Sequence, residues 1–245
     1  MKILAIGNSF SQDATRYLHG IARAGGVSLK VVNLYIGGCS LYRHYRNMLS
    51  GADAYSLELN GVSSGFYVSM KEALLSDEWD VVTLQQNSAN SWKEESYEPY
   101  LSRLAAFVRE HAPAAKLYLH KTWAYENGCK RLELIGAESA EQMLTDLSKC
   151  YEDAAERIHA DGMIYSGDAM YRLHSELMKE ERSAFRDTFH ASLGLGRYLL
   201  GLMWYGTLCG GDVAGNTFRD LDKPVSEERI ALAKRIACEV LEAGK

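Results

Sequence analysis

The stretch Ile3-Leu4-Ala5-Ile6-Gly7-Asn8-Ser9-Phe10 decides the fold predicted for this chain. Four consecutive apolar residues closed by a glycine are typical of a short parallel strand that is buried on both faces. The residues after the glycine place a serine hydroxyl at the carboxyl end of that strand, which is where parallel α/β sheets bind ligands. Ser9 is therefore a candidate nucleophile. The alternative is that Ser9 only caps the helix that follows.

A second segment, Asp187-Thr188-Phe189-His190, supplies the groups that such a serine needs. A serine hydroxyl attacks a carbonyl poorly unless a base takes its proton and a third group holds that base in the right tautomer. A sharp turn between residues 187 and 190 would let Asp187 bind one ring nitrogen of His190 while the other faces Ser9. The alternative is that His190 is one more packed or solvated histidine among the seven of this chain.

Four short blocks carry a family resemblance. Ile-Gly-Asn-Ser-Phe-Ser follows the first strand, a glycine pair follows the second, an amide-rich run follows the third, and Asp-x-x-His comes near the end. In this order and spacing, over roughly residues 3 to 205, they resemble the SGNH (GDSL-type) hydrolases, in particular a little-characterised bacterial branch. The resemblance implies that Ser9 is the nucleophile, His190 the base and Asp187 its partner.

The same resemblance implies an oxyanion hole. Its donors would be the N–H of Ser9 itself and the N–H of Gly38, although Gly37 is adjacent and could take that place. The third block departs from the family's Gly-x-Asn and reads Gln85-Gln86-Asn87. Either Gln85 or Asn87 would supply the side-chain donor, or these amides only cap their loop.

A further departure lies directly before the serine. Asn8 stands where the family usually has aspartate. The local charge therefore differs, while the hydrogen-bonding shape is kept.

Composition favours a single globular domain over residues 1–245, with 47% hydrophobic residues and a formal charge of −5. This balance excludes the basic footprint of a nucleic-acid-binding protein. The five cysteines are odd in number and widely spaced, which indicates reduced thiols. The basic residues Arg43, His44 and Arg46 fit the solvated face of a helix. The start of the chain lacks the apolar core of an export signal and no stretch has the length to cross a bilayer, so a cytoplasmic location is expected.

Alternation of apolar runs and amphipathic segments predicts an α/β fold, a three-layer, flavodoxin-like sandwich with a parallel sheet of about five strands. The strands are predicted near 2–6, 29–35, 80–85, 115–120 and 162–166, and the helices near 11–24, 40–49, 69–77, 96–111, 138–158, 168–179, 191–207 and 226–243. Two insertions interrupt this pattern. Residues 52–68 predict a β-hairpin around Asn60-Gly61, whose role is open between a lid or wall of the pocket and an association surface, and residues 124–137 predict a loop.

The function predicted from these residues is that of a metal-independent serine esterase without a cofactor. It would remove a small acyl group, such as acetyl, from a carbohydrate or related metabolite. Trp123, which follows the fourth predicted strand, is a candidate to stack on a sugar, and the alternative is that its ring only packs in the core or at the rim. The alternative is a carbohydrate-binding protein that kept the fold and lost efficient chemistry. A small-molecule ester is the only partner expected, with no nucleic acid and no membrane, and the oligomeric state is left open.

Overall fold

A single seven-stranded sheet forms the middle layer of the protein. The structure is a computed structural model and describes residues 1–244. The sheet order is β4-β3-β2-β1-β5-β6-β7. The strands are β1 (Lys2–Gly7), β2 (Lys30–Tyr35), β3 (Tyr55–Leu59), β4 (Val62–Val68), β5 (Val81–Leu84), β6 (Lys116–His120) and β7 (Gly162–Ile164). Strands β2, β1, β5, β6 and β7 run parallel, as predicted.

Helices cover both faces of this sheet, which confirms the three-layer α/β fold. They are α1 (Ser9–Thr15), α2 (Leu18–Ala24), α3 (Leu41–Ser50), α4 (Met70–Leu75), α5 (Tyr100–His111), α6 (Lys130–Ile135), α7 (Ala140–Arg157), α8 (Ser166–Met178), α9 (Leu195–Cys209) and α10 (Glu227–Ala243), with a single 3₁₀ turn at Glu94–Ser96. Helices α1, α2, α8 and α10 pack around α9, whereas α3, α4 and α5 pack with one another.

Strand β1 lies at the centre because its side chains are apolar on both faces. Residues 3–6 are at most 1% exposed, and the strand pairs with β2 on one side and β5 on the other. Such burial removes apolar surface from water, the main favourable term in folding. The loops after β1, β2 and β5 consequently emerge side by side at the carboxyl edge of the sheet.

Two predicted elements differ from the structure. The helix predicted over 11–24 is two helices, because the chain turns at Arg16 and Tyr17. Arg16 reaches across to Asp222 and Tyr17 donates to the carbonyl of Leu193, so both side chains serve contacts far away in sequence. The predicted loop 124–137 contains α6, which is too short for helical periodicity to show in the sequence.

The hairpin predicted around Asn60-Gly61 is present. Both turn residues have positive φ, 51° and 82°, which matches the twist that a two-residue hairpin needs. Strand β3 pairs antiparallel with β2, so the hairpin extends the sheet. None of its residues lines the candidate crevice described below. Of the two roles left open for the hairpin, that of a lid or wall does not fit this crevice.

His44 is a further correction, because the solvated face predicted for it is not what the structure shows. Its ring is fully buried and stacks on Tyr55, with Nδ1 2.9 Å from the tyrosine hydroxyl. Burial lowers the pKa of His44 to about 3. The neighbouring arginines Arg43 and Arg46 are exposed as predicted.

Two predictions about the whole chain can be compared with the described residues. Over residues 1–244, no helix combines the length and the apolar character needed to cross a membrane. All five cysteines are free thiols.

Candidate active site

Ser9 lies where strand β1 ends and helix α1 begins. The helix starts at Ser9 itself and is capped by Asn8, whose side-chain oxygen accepts a hydrogen bond from the Phe10 N–H at 3.0 Å. Gly7 is required at this turn because a Cβ there would lie 2.5 Å from the Ser11 hydroxyl and 2.9 Å from Gln85. The glycine and the asparagine cap together direct the Ser9 hydroxyl towards the crevice.

The loop 186–190 makes the sharp turn that the sequence requires. Thr188 has a φ of 73°, an uncommon conformation for a β-branched residue. The loop is closed by a hydrogen bond from the Arg186 N–H to the His190 carbonyl at 2.9 Å, and the Thr188 carbonyl accepts from the Glu126 N–H at 2.8 Å. This turn points the His190 ring back at α1.

Ser9, His190 and Asp187 meet in hydrogen-bond geometry. The Ser9 Oγ lies 2.9 Å from His190 Nε2, and His190 Nδ1 lies 2.7 Å from Asp187 Oδ2. The other oxygen of Asp187 accepts the backbone N–H of His190 at 2.8 Å. Since a carboxylate only accepts hydrogen bonds, Nδ1 carries the ring proton and Nε2 is free to accept the serine proton. The three residues therefore have the arrangement of a nucleophile, a base and an orienting acid.

Electrostatics and packing both favour this arrangement. Partial burial pushes the pKa of Asp187 upward, but the hydrogen bonds from His190 outweigh it and hold that pKa below its ordinary value. The His190 ring packs against Phe189, at 3.9 Å between ring centroids, and against Phe10, at 5.9 Å in an edge contact. These two aromatic contacts help to hold the imidazole while its nitrogens stay on Ser9 and Asp187.

A buried carboxylate anchors the loop that carries His190. Asp13, on α1, is fully buried and pairs with Arg186 at 2.9 Å and with Arg197 at 2.8 Å. One of its oxygens also accepts the Ala191 N–H at 3.1 Å. Because Asp13 lies one turn after Ser9, the same helix fixes the serine and the loop of its base. No local pattern in the sequence points to this role, since the partners lie more than 170 residues away.

Two glycines and an amide side chain line the crevice beside the serine. Gly38 lies in a turn closed by a hydrogen bond from the Cys39 N–H to the Ile36 carbonyl at 3.1 Å, and its φ of 61° favours glycine. Gly37 and Gly38 both line the crevice beside Ser9. Asn87 also lines it and donates one hydrogen of its amide to the Gly38 carbonyl at 3.2 Å, which leaves a second hydrogen to give.

Gln85 is a correction. The structure does not bring its side chain into the crevice, as it is 2% exposed and committed at both ends. Its Nε2 donates to Asn8 Oδ1 at 2.9 Å, and its Oε1 lies 2.7 Å from His120 Nδ1. Asn8 in turn donates through Nδ2 to the Cys39 carbonyl at 3.1 Å. Gln85 therefore joins the loops from behind and is not an oxyanion donor.

Trp123 is the second correction. It is 1% exposed and stacks on Phe10 at 3.9 Å with the rings 5° from parallel. Its indole N–H donates to the Phe189 carbonyl at 2.6 Å. The ring therefore supports the elements that carry Ser9 and His190, and it cannot stack on a bound sugar. The loop after β6 turns inward, which its position after a strand did not reveal.

The crevice in front of Ser9 has a volume of about 400 Å³. Its lining residues beyond those already named include Gln12, Tyr35, Ser88, Ala89, Tyr125, Arg131 and Arg186. Arg131, on α6, is a residue that sequence reasoning missed, because it lies in the segment predicted as a loop. Over the described chain, no cluster of three or more His, Cys, Asp or Glu side chains is arranged to hold a metal ion.

Solved structures share this fold. A DUF4886 family protein from Bacteroides uniformis is 29% identical, with a TM-score of 0.90 over 100% of this chain and 96% of that one. A proposed SGNH hydrolase from Slackia heliotrinireducens is 22% identical, with a TM-score of 0.61 over 85% and 98% of the two chains. An acetyl xylan esterase is 14% identical, with a TM-score of 0.58 over 85% and 100%. The fold is that of the SGNH hydrolases, as the four sequence blocks predicted.

The family follows from the sequence itself. The model of the family described as a domain of unknown function, DUF4886, matches residues 2–240. The chain belongs to this family. A comparison with curated proteins finds none that matches.

Proposed function

We propose that this protein is a serine esterase that works through an acyl-serine intermediate. The observation that carries the proposal is the continuous hydrogen-bonded series from Ser9 Oγ through His190 to Asp187, at 2.9 and 2.7 Å. The structural neighbours include SGNH hydrolases and an acetyl xylan esterase. Since a fold does not fix a function, the proposal depends on the site.

The reaction follows from the protons. His190 Nε2 takes the Ser9 proton while Oγ forms a bond to the ester carbonyl carbon, and the alcohol leaves with that proton. Water then attacks the acyl-serine and gives a proton to the same nitrogen, which passes it to Ser9 Oγ as the bond between Oγ and the acyl carbon breaks and the acid leaves. The N–H groups of Ser9 and Gly38, with the free amide hydrogen of Asn87, would face the oxyanion. Donors already aimed at that oxygen stabilise the transition state by about 3 kcal/mol each.

A small acyl group on a carbohydrate or related metabolite is the proposed substrate. A crevice of about 400 Å³ suits a ligand of roughly one sugar unit. Its lining is rich in polar groups, including Asn87, Ser88 and two arginines, and does not provide a long apolar channel for a fatty chain.

Hydrolysis of 4-nitrophenyl acetate tests the proposal. Wild type should release nitrophenolate and should be labelled by a fluorophosphonate, whereas Ser9→Ala should do neither. Ser50→Ala, which changes an exposed serine on α3, is the matched control and should behave as wild type. Turnover that persists in Ser9→Ala would overturn the mechanism.

The competing function is a binding protein without efficient chemistry. A sugar-binding module gains nothing from a base aligned on a serine and a carboxylate aligned on that base. The 2.9 Å separation of Ser9 and His190 therefore supports the enzyme. Absence of both turnover and labelling in wild type would favour the binding protein.

A further inference from the structure

The charge of the crevice points to the class of ester. Its lining contains two arginines, Arg131 and Arg186, and no aspartate or glutamate among the described residues. Arg186 is already paired with Asp13. Arg131, by contrast, forms no ion pair with any carboxylate of residues 1–244. Its charge is therefore available to a ligand.

Arg131 is held close to the reacting groups. Its guanidinium lies 3.9 Å from the centre of the Phe189 ring, and that ring lies 3.9 Å from the His190 ring. These two separations place the guanidinium within about 8 Å of the imidazole. Stacking on an aromatic face leaves the edge of a guanidinium free to bind a planar anion through two N–H groups.

The other arginines near the crevice are balanced by carboxylates. Arg16, Arg186 and Arg197 surround Asp13 and Asp222 in one connected network, and the Asp187 carboxylate lies 2.7 Å from the His190 ring. Three positive charges therefore stand beside three negative ones. Arg131 is the arginine of the crevice lining that has no ion-pair partner among the described residues, and its charge favours an anionic ligand over a neutral one of the same shape.

We propose that the ester substrate carries a carboxylate, and that Arg131 binds it while Ser9 attacks an acyl group on the same sugar or polyol. This inference rests on the proposed esterase function and specifies its substrate. It names acylated sugar acids as the class. A carboxylate matches the planar guanidinium in a two-bond geometry that a neutral sugar cannot reproduce.

A matched pair of substrates tests it. Acetylated methyl glucuronoside and its carboxamide have almost the same shape and differ by one charge. Wild type should prefer the carboxylate in kcat/KM by about 10-fold to 100-fold, as expected for a hydrogen-bonded charged pair. Arg131→Gln should bring this ratio close to one, whereas Lys130→Gln, its exposed neighbour on α6, should keep it.

The outcomes separate this proposal from the esterase function. Equal rates on the pair, or a preference that survives Arg131→Gln, would overturn the carboxylate subsite. So would failure to hydrolyse either sugar by a protein that still cleaves 4-nitrophenyl acetate. If wild type neither cleaves 4-nitrophenyl acetate nor is labelled by the fluorophosphonate, the proposed esterase function is overturned instead.

A different observation carries a second inference, about His120. This histidine is fully buried, its Nε2 has no hydrogen-bond partner within the described chain, and its ring packs edge-on against Trp204. Hydrogen bonds connect His120 to Gln85, Gln85 to Asn8 and Asn8 to the Cys39 carbonyl, and the donor in each of them follows by elimination. The Cys39 carbonyl can only accept, so Asn8 presents its NH₂ there and its oxygen to Gln85. Gln85 then presents its oxygen to His120, whose Nδ1 must carry the proton.

We infer that His120 is a positioning residue that, through Gln85 and Asn8, sets the orientation of the turn Ile36–Cys39, which carries Gly38. This series of hydrogen bonds ends at the carbonyl of Cys39, the residue after Gly38. Loss of the Nδ1 donor would free Gln85 to rotate and would loosen both the Asn8 cap and that turn. His120 itself touches no substrate.

Two substitutions distinguish positioning from filling space. His120→Phe keeps the ring but removes the donor, and kcat on 4-nitrophenyl acetate should fall about 10-fold with KM little changed. His120→Asn restores a donor near the position of Nδ1 and should recover most of the loss. Gln85→Met breaks the next link and repeats the test if the phenylalanine variant does not fold. Equal activity of His120→Phe and wild type would overturn the inference.

The tautomer provides a readout that does not depend on activity. A long-range proton–nitrogen NMR spectrum should show His120 as a neutral ring with its proton on Nδ1. A proton on Nε2 would contradict the donor and acceptor roles assigned to His120, Gln85 and Asn8.

Discussion

The two sides of the candidate active site are held in place by different forces. On the serine side, the loops after β1, β2 and β5 are joined through Asn8, Gln85 and His120 by buried hydrogen bonds between uncharged groups. On the histidine side, a single loop is fixed by ion pairs to one buried carboxylate, Asp13. Neutral hydrogen bonds depend on direction, whereas ion pairs depend on charge. The two sides should therefore respond differently to substitution and to acid.

The largest effect is expected from the histidine side, at the base itself. His190→Ala removes the proton acceptor of Ser9, so kcat on 4-nitrophenyl acetate should fall by about 10⁴-fold or more. His111→Ala, on α5 and far from the crevice, is the control and should leave kcat unchanged. Activity within 10-fold of wild type would show that Ser9 uses another base.

The anchor of that loop is the next target. Asp13→Asn leaves Arg186 and Arg197 without their shared carboxylate, and breaking a buried ion pair costs about 3–5 kcal/mol of unfolding free energy. Urea unfolding should show this loss, and kcat should fall as the loop loosens. Asp220→Asn, an exposed neutralisation without hydrogen bonds to the described residues, is the matched control. Equal stability of the two variants would show that charge does not hold the histidine side.

On the serine side, a substitution that changes one amide to a carboxylate tests whether Asn8 must donate the hydrogen bond to Cys39. Asn8→Asp restores the residue usual in SGNH hydrolases but places an oxygen against the Cys39 carbonyl, where the Asn8 NH₂ now donates at 3.1 Å. Two acceptors facing each other in a buried site should cost about 1–3 kcal/mol of unfolding free energy. Chemical denaturation of Asn8→Asp and of Asn8→Ser would measure it. A variant as stable as wild type would indicate that the turn can rearrange.

The smallest effect, for one histidine over one pH unit, concerns acid. Burial lowers the pKa of His44 and His120 to about 3, so both are neutral in the folded protein. In the unfolded chain their pKa returns to about 6.5, and the unfolded state binds more protons between pH 6.5 and 3. Stability is therefore full above pH 6.5 and falls as the pH drops, by up to about 1.4 kcal/mol per pH unit for each histidine.

Denaturant unfolding at pH values from 7 to 5 measures that slope in a range where most carboxylates stay ionised. His120→Asn should remove one histidine's share and leave that of His44. A slope that is the same in the variant and in wild type would show that His120 is not neutralised by burial.

The sequence predicted most of the fold because its strongest patterns are local. Five apolar runs identified the parallel strands, and Asn60-Gly61 identified the hairpin through the positive φ that those residues tolerate. What the patterns missed are local interruptions with distant causes. The break after Thr15 depends on contacts of Arg16 and Tyr17 with residues about 175 to 205 positions away.

The site shows the same division. Ser9, Asp187 and His190 stood out because their types and order carry chemistry, and the structure brings them together. The sequence did not allow a prediction of whether Gln85 or Asn87 faces the crevice. The answer depends on His120, which binds the Gln85 side chain and lies 35 residues further along. Likewise, no pattern around Trp123 predicted that its indole N–H donates to the Phe189 carbonyl.

The pairing of Ser9 with His190 joins residues 181 positions apart. A chain that has not yet been extended to residue 190 therefore has its nucleophile without its base. Helix α9, around which α1, α2, α8 and α10 pack, also follows this position. The base and the central helix of that layer thus become available in the same step of synthesis, and the Ser9 hydroxyl should stay unreactive until the layer that supports it can fold.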